Sequence, residues 1–359
     1  NYQELVADLK GRGHRFGSAS DAECILHLYE EKGEACLEHL RGMFAFVLWD
    51  RRRKQVFAAR DRVGIKPLYL STVEGALWLS SELKAIVHGA RLSPTLRPAS
   101  VYQFLRYCYP LDQRHTPIEE VTRLLPGEFL VADEAGIRLS RYWKPRYGGS
   151  EGVRDRSDQE VLETLDTAVA LHLRSDVPVG VLLSAGIDSS TLAVLASRRI
   201  DGLAALSAGY RGRHSVDERQ EARRTARSLG MEFIDIECDV AQFNNHFEAF
   251  VRCCDEPVGD IAAMAQWAIY QQARSLGYKV LLSGLGGDEL MFGYPRWNLL
   301  GQTLAHHEGG LQDHARIIAD SFDANLGNLP PALLGGDLAA AADQALMPFM
   351  QLLDQVPRG

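Results

Sequence analysis

The segment Ser184-Ala185-Gly186-Ile187-Asp188-Ser189-Ser190 decides the fold of the second half of this chain. It follows an apolar run, Val177 to Leu183, and precedes a helical pattern, Thr191 to Arg199. A buried strand, a loop of small residues and the start of a helix are therefore predicted in succession. Small residues let backbone N–H groups approach an anion, and the helix dipole favours negative charge at that point.

Asp188 within this loop suits a phosphate site only when a divalent cation bridges it to the phosphates, as Mg²⁺ does with carboxylates. The loop also lacks the Gly-Lys-Ser/Thr ending of a Walker A loop. Taken alone, the pattern fits a helix cap after a buried strand as well as an anion site. Both interpretations stay open at this point.

A second glycine-rich loop, Ser283-Gly284-Leu285-Gly286-Gly287-Asp288-Glu289, follows the strand-like run Lys279 to Ser283. Its glycines permit positive φ angles or a close ligand approach, and Asp288 and Glu289 add two carboxylates. Ligands of open α/β sheets bind at the carboxyl ends of the strands. Two such loops therefore indicate a nucleoside triphosphate whose pyrophosphate and Mg²⁺ lie between them.

Strand-like and helical segments alternate around these two loops. This alternation predicts βαβ units on a parallel sheet that is covered on both faces. A capping box, Ser215 to Glu218, is expected to open one of the helices. The strands are predicted over 177–183, 203–207, 232–236 and 279–283, and the helices over 159–173, 191–199, 215–229 and 264–276.

The first half of the chain has a different pattern. Short β-rich runs over 43–49, 55–59, 67–70 and 76–79 have no helices between them, which favours antiparallel pairing. A capping box at Ser20 to Glu23 predicts a helix start. The glycine-containing stretch Lys144 to Gly152 is the best linker candidate. We expect an α+β antiparallel domain over 1–145 and a parallel-sheet α/β domain over 159–359.

Composition restricts the class of protein. The 359 residues include 39 basic and 47 acidic side chains, for a net charge of −8. This balance offers no broad basic surface for nucleic acid or anionic membranes, and no apolar run approaches the ~20 residues that span a bilayer. None of the six cysteines forms a Cys-x-x-Cys pair, so buried thiols in the reducing cytoplasm are expected. The start at Asn1 rather than Met indicates a processed or cropped N-terminus.

Several motifs, in this order, resemble the asparagine synthetase (glutamine-hydrolysing) family of amidotransferases. The second half is similar to that family's ATP-pyrophosphatase (PP-loop) domain in SAGIDSS (184–190), DEPVGD (255–260) and LLSGLGGDELMFGYPRW (281–297). The first half resembles an N-terminal-nucleophile glutaminase domain in SASDAE (18–23), RGMFAFVLWD (41–50), ARDRVGIKPLYL (59–70), SSELKAI (80–86) and LLPGEF (124–129). The resemblance implies that both domains are partial, in a protein truncated at both ends.

The resemblance implies a two-step synthesis. A substrate carboxylate attacks the α-phosphate of MgATP, giving an acyl-adenylate and pyrophosphate, and ammonia released from glutamine then displaces AMP. The resemblance implies a small-molecule carboxylate as the substrate, and L-aspartate is the one expected by default from the family. Because members of the family often dimerise through the first domain, a homodimer is expected.

The resemblance also assigns roles to individual residues. Asp188 and Asp288 would be Mg²⁺ ligands, and Asp21 matches the aspartate that binds the α-amino group of glutamine, although it also fits the first position of a capped helix. The ATP- and pyrophosphate-binding residues would be Leu183, Ser184, Gly186, Asp188, Ser189, Ser190, Ala208, Ser283 and Gly284.

Four features depart from the family pattern. The family's glutaminase nucleophile is a cysteine at the mature N-terminus, ahead of the segment that Asn1 to Leu5 resembles, and none of the six cysteines stands in for it. This chain alone is therefore expected to release no glutamate from glutamine. Leu285 occupies the position of a catalytic glutamate in asparagine-forming members, and leucine transfers no protons. Ala185 replaces a glycine of the pyrophosphate loop, and the family's late basic residue has no match.

These departures leave three alternatives. An adenylating enzyme that uses an internal amine, of the β-lactam synthetase or lasso-peptide cyclase type, is favoured by Leu285 and disfavoured by Asp21. A catalytically inactive paralogue is the second alternative. A tRNA-modifying enzyme with the same loop is disfavoured by the acidic balance of the chain.

Overall fold

A computed structural model describes residues 1–108, 111–145, 156–210, 217–238, 240–260, 262–291, 293–294, 300–303 and 310–321. These residues form two compact units. The first holds residues 1–105 and 111–145, and the second holds 106–108 and the described residues between 156 and 321. Most of the predicted linker, 146–152, lies outside the described residues.

The first unit contains two antiparallel sheets, as predicted. One has the strand order β1-β2-β6-β7, and the other has the order β4-β3-β5. The strands are β1 (Ala45–Asp50), β2 (Gln55–Arg60), β3 (Tyr69–Val73), β4 (Ala76–Ser80), β5 (Thr122–Arg123), β6 (Glu128–Asp133) and β7 (Gly136–Arg141).

Helices cover one face of the four-stranded sheet. Apolar residues of these helices, among them Leu9, Leu28 and Leu37, form one buried cluster with Phe57 and Phe129 of the sheet. Burial of such side chains is the main stabilising term, about 1.5–3 kcal/mol for each large one. The helices of this unit are α1 (Tyr2–Gly11), α2 (Asp21–Lys32), α3 (Cys36–His39), α4 (Leu83–Gly89) and all but the last two residues of α5 (Pro98–Tyr107).

Helix α2 begins after Ser20, whose Oγ accepts a hydrogen bond from the Ala22 N–H at 3.2 Å. The predicted capping box forms only in part. The Glu23 carboxylate accepts instead from the backbone N–H groups of Gly17 at 2.6 Å and Ser18 at 2.8 Å. Because these two N–H groups already engage its carboxylate, Glu23 holds the loop before α2 rather than the cap.

The second unit is built on a parallel sheet, as predicted. Its strand order is β10-β9-β8-β11, and all three pairings are parallel. The chain adds β9 and then β10 on one side of β8, and it later returns to place β11 on the other side. The topological switch point therefore lies between β8 and β11. The strands are β8 (Val179–Leu182), β9 (Ala204–Tyr210), β10 (Glu232–Cys238) and β11 (Val280–Leu282).

The parallel sheet is covered on both faces, which explains its apolar strands. Val181 and Ala205 belong to one buried cluster, and Leu206 and Ile236 belong to another. The helices of this unit are α6 (Asp158–His172), α7 (Ile187–Ser197), α8 (Arg219–Ser228), α9 (Val240–Cys253), α10 (Ala262–Ser275), α11 (Gly287–Met291) and α12 (Leu311–Ser321). None of the helices in the described parts of the chain is both long and apolar enough to cross a bilayer.

Three helix starts differ from the predictions. Helix α7 begins at Ile187 and α11 at Gly287, so each takes in residues that were assigned to a loop. Helix α8 begins at Arg219 rather than near 215. Of the capping box expected there, Ser215 and Val216 lie outside the described residues, and the Glu218 side chain makes no cap hydrogen bond.

Candidate functional site

A cleft of about 630 Å³ lies at the carboxyl end of the parallel sheet. Its walls come from the loops that follow β8 and β11, the two strands that flank the switch point, where open α/β sheets bind ligands. Ten of the residues singled out in the sequence line it. They are Leu183, Ser184, Gly186, Asp188, Ser189, Ala208, Ser283, Gly284, Leu285 and Asp288.

The loop after β8 is held by a network of serine hydroxyls. The Ser184 and Ser189 Oγ atoms lie 2.8 Å apart, and the Ser184 N–H donates to Ser189 Oγ at 3.1 Å. The Gly186 N–H donates to Ser184 Oγ at 3.1 Å. Because Gly186 is the N-cap of α7 and provides no side-chain cap, the first turn of α7 keeps its positive dipole end available to an anion.

The loop after β11 approaches this first loop through its glycines. A Cβ atom on Gly284 would lie 3.0 Å from the Ser189 backbone nitrogen and 3.2 Å from Asp188 Cβ. A Cβ atom on Gly287 would overlap the Asp188 carboxylate. Gly286 has a φ of +98°, which side chains rarely adopt. These glycines therefore let the two loops meet beside Asp188.

The acidic residues of the second loop lie at the start of α11. Asp288 and Glu289 belong to its first turn and line the cleft. The Tyr294 hydroxyl donates to the Glu289 carboxylate at 2.9 Å. Asp188 belongs to the first turn of α7 and faces the same cleft. Carboxylates on two adjoining helix starts form the oxygen-rich surroundings in which Mg²⁺ bridges to phosphates.

Glu218 is a site residue that the sequence analysis missed. It lines the cleft, and its carboxylate accepts a hydrogen bond from the Ala185 N–H at 3.0 Å. The Ala185 N–H is one of the backbone donors with which the loop would hold an anion. The local sequence pattern around Glu218 indicated a helix cap. No sequence signal linked Glu218 to Ala185, which lies 33 positions earlier.

Leu285 forms an apolar part of the cleft wall. Its side chain is 69% exposed although it lines the cleft, and its N–H donates to Ser283 Oγ at 3.2 Å. Gln266 and Ile269 of α10 form further parts of the wall and were not singled out in the sequence.

Two of the predicted site residues lie elsewhere. Ser190 is half-buried on α7 and is not part of the cleft wall, and its N–H donates to the Gly186 carbonyl at 3.1 Å. Asp21 belongs to the first unit, where it is the exposed first residue of α2. It therefore belongs to a different unit from the other predicted residues.

The cleft fits the predicted ligand. Its volume lies within the range of about 300–1,000 Å³ that small-molecule sites occupy. Gly284 and Gly287 keep open the space that a side chain would fill, and serine hydroxyls, backbone N–H groups and two aspartates line it. The hydroxyl and N–H groups can donate hydrogen bonds to phosphate oxygens. The two aspartates suit a hard divalent cation.

Both halves of the sequence are similar to known protein families. Residues 1–143 match a glutamine amidotransferase domain, and residues 160–346 match the asparagine synthase family. The chain is 32% identical over 295 residues to asparagine synthetase [glutamine-hydrolyzing] 1 of Bacillus subtilis, covering 82% of this chain and 46% of that protein. It is 35% identical over 305 residues to a putative asparagine synthetase [glutamine-hydrolyzing] of Mycobacterium tuberculosis H37Rv, with the same coverage.

A third relative is a fungal protein. Amidase chyE of Penicillium rubens is 31% identical over 310 residues, which cover 81% of this chain and 45% of that protein. The chain thus spans about half the length of the curated relatives it matches. Both glycine-rich loops and the cleft between them fall inside the match over 160–346, and the chain belongs to the asparagine synthase family.

Proposed function

We propose that the second unit binds MgATP in the cleft and activates a carboxylate for amidation with nitrogen from glutamine. The observation that carries this proposal is the contact between the two glycine-rich loops, which gathers Asp188, Asp288 and the Ser184–Ser189 hydroxyl pair around one cleft. Family membership supports the same chemistry.

The proposal assigns a separate role to each group of cleft residues. Ser184, Gly186 and Ser189 would hold the pyrophosphate part of ATP through hydroxyl and N–H donors, with the helix dipole of α7 adding favourable charge. Leu183, Ala208, Ser283 and Gly284 would contact the adenosine. Of the remaining predicted residues, Ser190 would support the loop from within α7.

Asp188 and Asp288 would hold Mg²⁺, which, when bound, neutralises phosphate charge and favours departure of pyrophosphate. The substrate carboxylate oxygen forms a bond to the α-phosphorus, and the bond from that phosphorus to the bridging oxygen breaks. Pyrophosphate leaves with the electron pair. Ammonia then attacks the acyl carbon of the acyl-adenylate, AMP leaves, and an amide is formed.

For the first unit, over residues 1–145, we propose the role of a partial glutaminase-type domain that holds glutamine. This chain alone is not expected to release the ammonia, because none of its cysteines matches the family's nucleophile. Asp21 would bind the α-amino group of glutamine, since it is exposed at the first position of α2. We assign the adenylating role to a domain over 159–359.

The acyl substrate is proposed to be a small carboxylate, with L-aspartate as the default. Leu285 also supports a second candidate, in which an internal amine of the acyl substrate replaces ammonia. Its exposed apolar side chain stands where a proton-transferring group would otherwise line the cleft. A panel of carboxylates, some with and some without an internal amine, distinguishes the two candidates by which of them supports ATP–pyrophosphate exchange.

Calorimetry with MgATP tests the site itself. Wild-type chain is expected to bind MgATP, and Asp188→Asn, which removes a metal ligand without changing the side-chain size, is expected to bind it at least about tenfold more weakly. Asp201→Asn, in an exposed turn after α7, is the matched control and should bind normally. Equal binding by wild type and Asp188→Asn, or no binding by the wild type, would contradict the proposal.

A further inference from the structure

Two histidines of the first unit lie beside each other and beside several carboxylates, with their ring planes tilted by 53°. His14 follows α1, and His27 lies on α2. Their Nδ1 atoms are 3.1 Å apart, and Glu30 Oε2 lies 3.1 Å from His27 Nδ1. One ligand atom from each of His14, His27 and Glu30 falls within 4.8 Å of the others. The amidation chemistry proposed above does not use this group.

The proton of His14 is placed by a neighbouring carboxylate. Glu31 Oε1 lies 2.8 Å from His14 Nε2, and a carboxylate only accepts hydrogen bonds. In a neutral His14 the proton therefore sits on Nε2, and His14 Nδ1 presents a lone pair to His27. Glu31 also forms an ion pair with Arg12, which fixes its position.

His27 cannot satisfy both of its neighbours with one proton. A proton on His27 Nδ1 would be shared between His14 Nδ1 and Glu30 Oε2. A proton on His27 Nε2 would leave two lone pairs and a carboxylate oxygen facing one another. Nε2 is buried without a hydrogen-bond partner among the described residues, and Glu23 Oε1 is the nearby acceptor, at 3.7 Å. A cation among the three ligand atoms would resolve the conflict.

The spacing of these atoms matches a tetrahedral metal centre. Ligand atoms that are each 2.0–2.1 Å from a zinc ion are separated by about 3.3 Å in tetrahedral geometry. The two observed separations of 3.1 Å are close to that value. Two imidazole nitrogens and one carboxylate oxygen also form a donor set that Zn²⁺ accepts. The Glu31 contact to His14 is the kind of outer contact that orients a metal-binding histidine.

We propose that His14 Nδ1, His27 Nδ1 and Glu30 Oε2 bind a divalent transition metal, Zn²⁺ foremost. The fourth position is left to water, since the Glu30 side chain is 66% exposed and the group opens to solvent on that side. The metal fastens the segment after α1 to the middle of α2. Such a site stabilises the folded chain, because the unfolded chain does not hold these ligands together.

Titration of the chelator-treated chain with Zn²⁺ and with Co²⁺ tests the proposal. The wild type is expected to bind Zn²⁺ in a one-to-one ratio, to show the visible absorption of tetrahedral Co²⁺, and to melt at a higher temperature with Zn²⁺. His14→Gln and Glu30→Gln should lose all three effects. Glu31→Gln, which removes an outer contact but no ligand, should weaken binding by about 10–100-fold.

Two further variants control for other ligands. His115 lies 2.8 Å from the Asp112 carboxylate in the same unit, so His115→Gln removes a histidine–carboxylate pair away from the group and should bind metal as the wild type does. Cys253→Ser tests an exposed thiol. The proposal is overturned if the wild type binds no Zn²⁺, if binding survives His14→Gln, or if it disappears with Cys253→Ser.

Discussion

The Asp188 carboxylate occupies the space into which a Cβ atom on Gly287 would project. Asp188 lies in the first turn of α7, and Gly287 opens α11, so the amino ends of two helices that follow neighbouring strands meet at this contact. The absence of a side chain at Gly287 therefore leaves room for the Asp188 carboxylate. A residue of any other type there would displace the carboxylate that we assign to Mg²⁺.

Gly287→Ala is expected to weaken MgATP binding by about 10–100-fold, the range seen when the surroundings of a metal ligand are disturbed. Alanine favours helices more than glycine does, so thermal stability should not fall to the same degree. Calorimetry together with a melting curve checks both statements. Gly301→Ala, at a helical glycine with open space around its Cβ position, is the control. Undiminished binding by Gly287→Ala would show that Asp188 is free to move.

Glu218→Gln is expected to tighten the binding of inorganic pyrophosphate. The Glu218 carboxylate holds the Ala185 N–H, and its charge repels an anion in the loop. Like charges about 4 Å apart in water cost about 1 kcal/mol, which corresponds to about fivefold in affinity. Calorimetry with pyrophosphate measures the change. Glu232→Gln, at the opposite end of the sheet, removes the same charge and should leave the affinity unchanged. Weaker binding by Glu218→Gln would mean that Glu218 positions the loop.

Acid should loosen the segment before α2 through Glu23. Hydrogen bonds from the Ser18 hydroxyl and the Gly17 N–H lower the pKa of Glu23 below its usual value of 4.5. A lowered folded-state pKa contributes stability above the unfolded value, and this contribution is lost as pH falls through the folded pKa. Wild-type melting temperature should therefore drop more steeply below pH 4.5 than that of Glu23→Gln. Parallel curves for the two proteins would contradict this assignment.

Thiol labelling should separate the cysteines by exposure. Burial raises the pKa of the Cys36 thiol to about 12, with Glu34 adding to the effect, and the thiolate is the reactive form. Cys253 is exposed at the end of α9. A short alkylation of the native chain, read by peptide mass spectrometry, should label Cys253 and spare Cys36, and denaturant should equalise them. Rapid native labelling of Cys36 would contradict its burial.

Local patterns in the sequence predicted much of the fold. Apolar runs such as Val177 to Leu183 indicated strands buried on both faces, and alternation with helices indicated parallel pairing. Helix starts were less predictable, because Ile187 and Gly287 extend helices into segments whose small residues resemble a loop.

The sequence predicted many of the residues that line the candidate site, but not which of them contact one another. Which loops meet depends on the strand order, and the order β10-β9-β8-β11 is not encoded in any short segment. Glu218 was assigned to a helix cap because its only local signal was the capping pattern, whereas its partner Ala185 is remote in sequence. The pairing of His14 with His27 depends likewise on how α1 and its following segment pack on α2.

The return of the chain to β8 also ties the ligand to the folding of the whole unit. About a hundred residues lie between β8 and β11. Bringing these two strands together therefore costs loop-closure entropy, which is offset only when β11 pairs with β8. The cleft has no second wall before that step. A nucleotide in this cleft would contact the loops after both β8 and β11, so by mass action it would protect the pairing of these two strands from local opening.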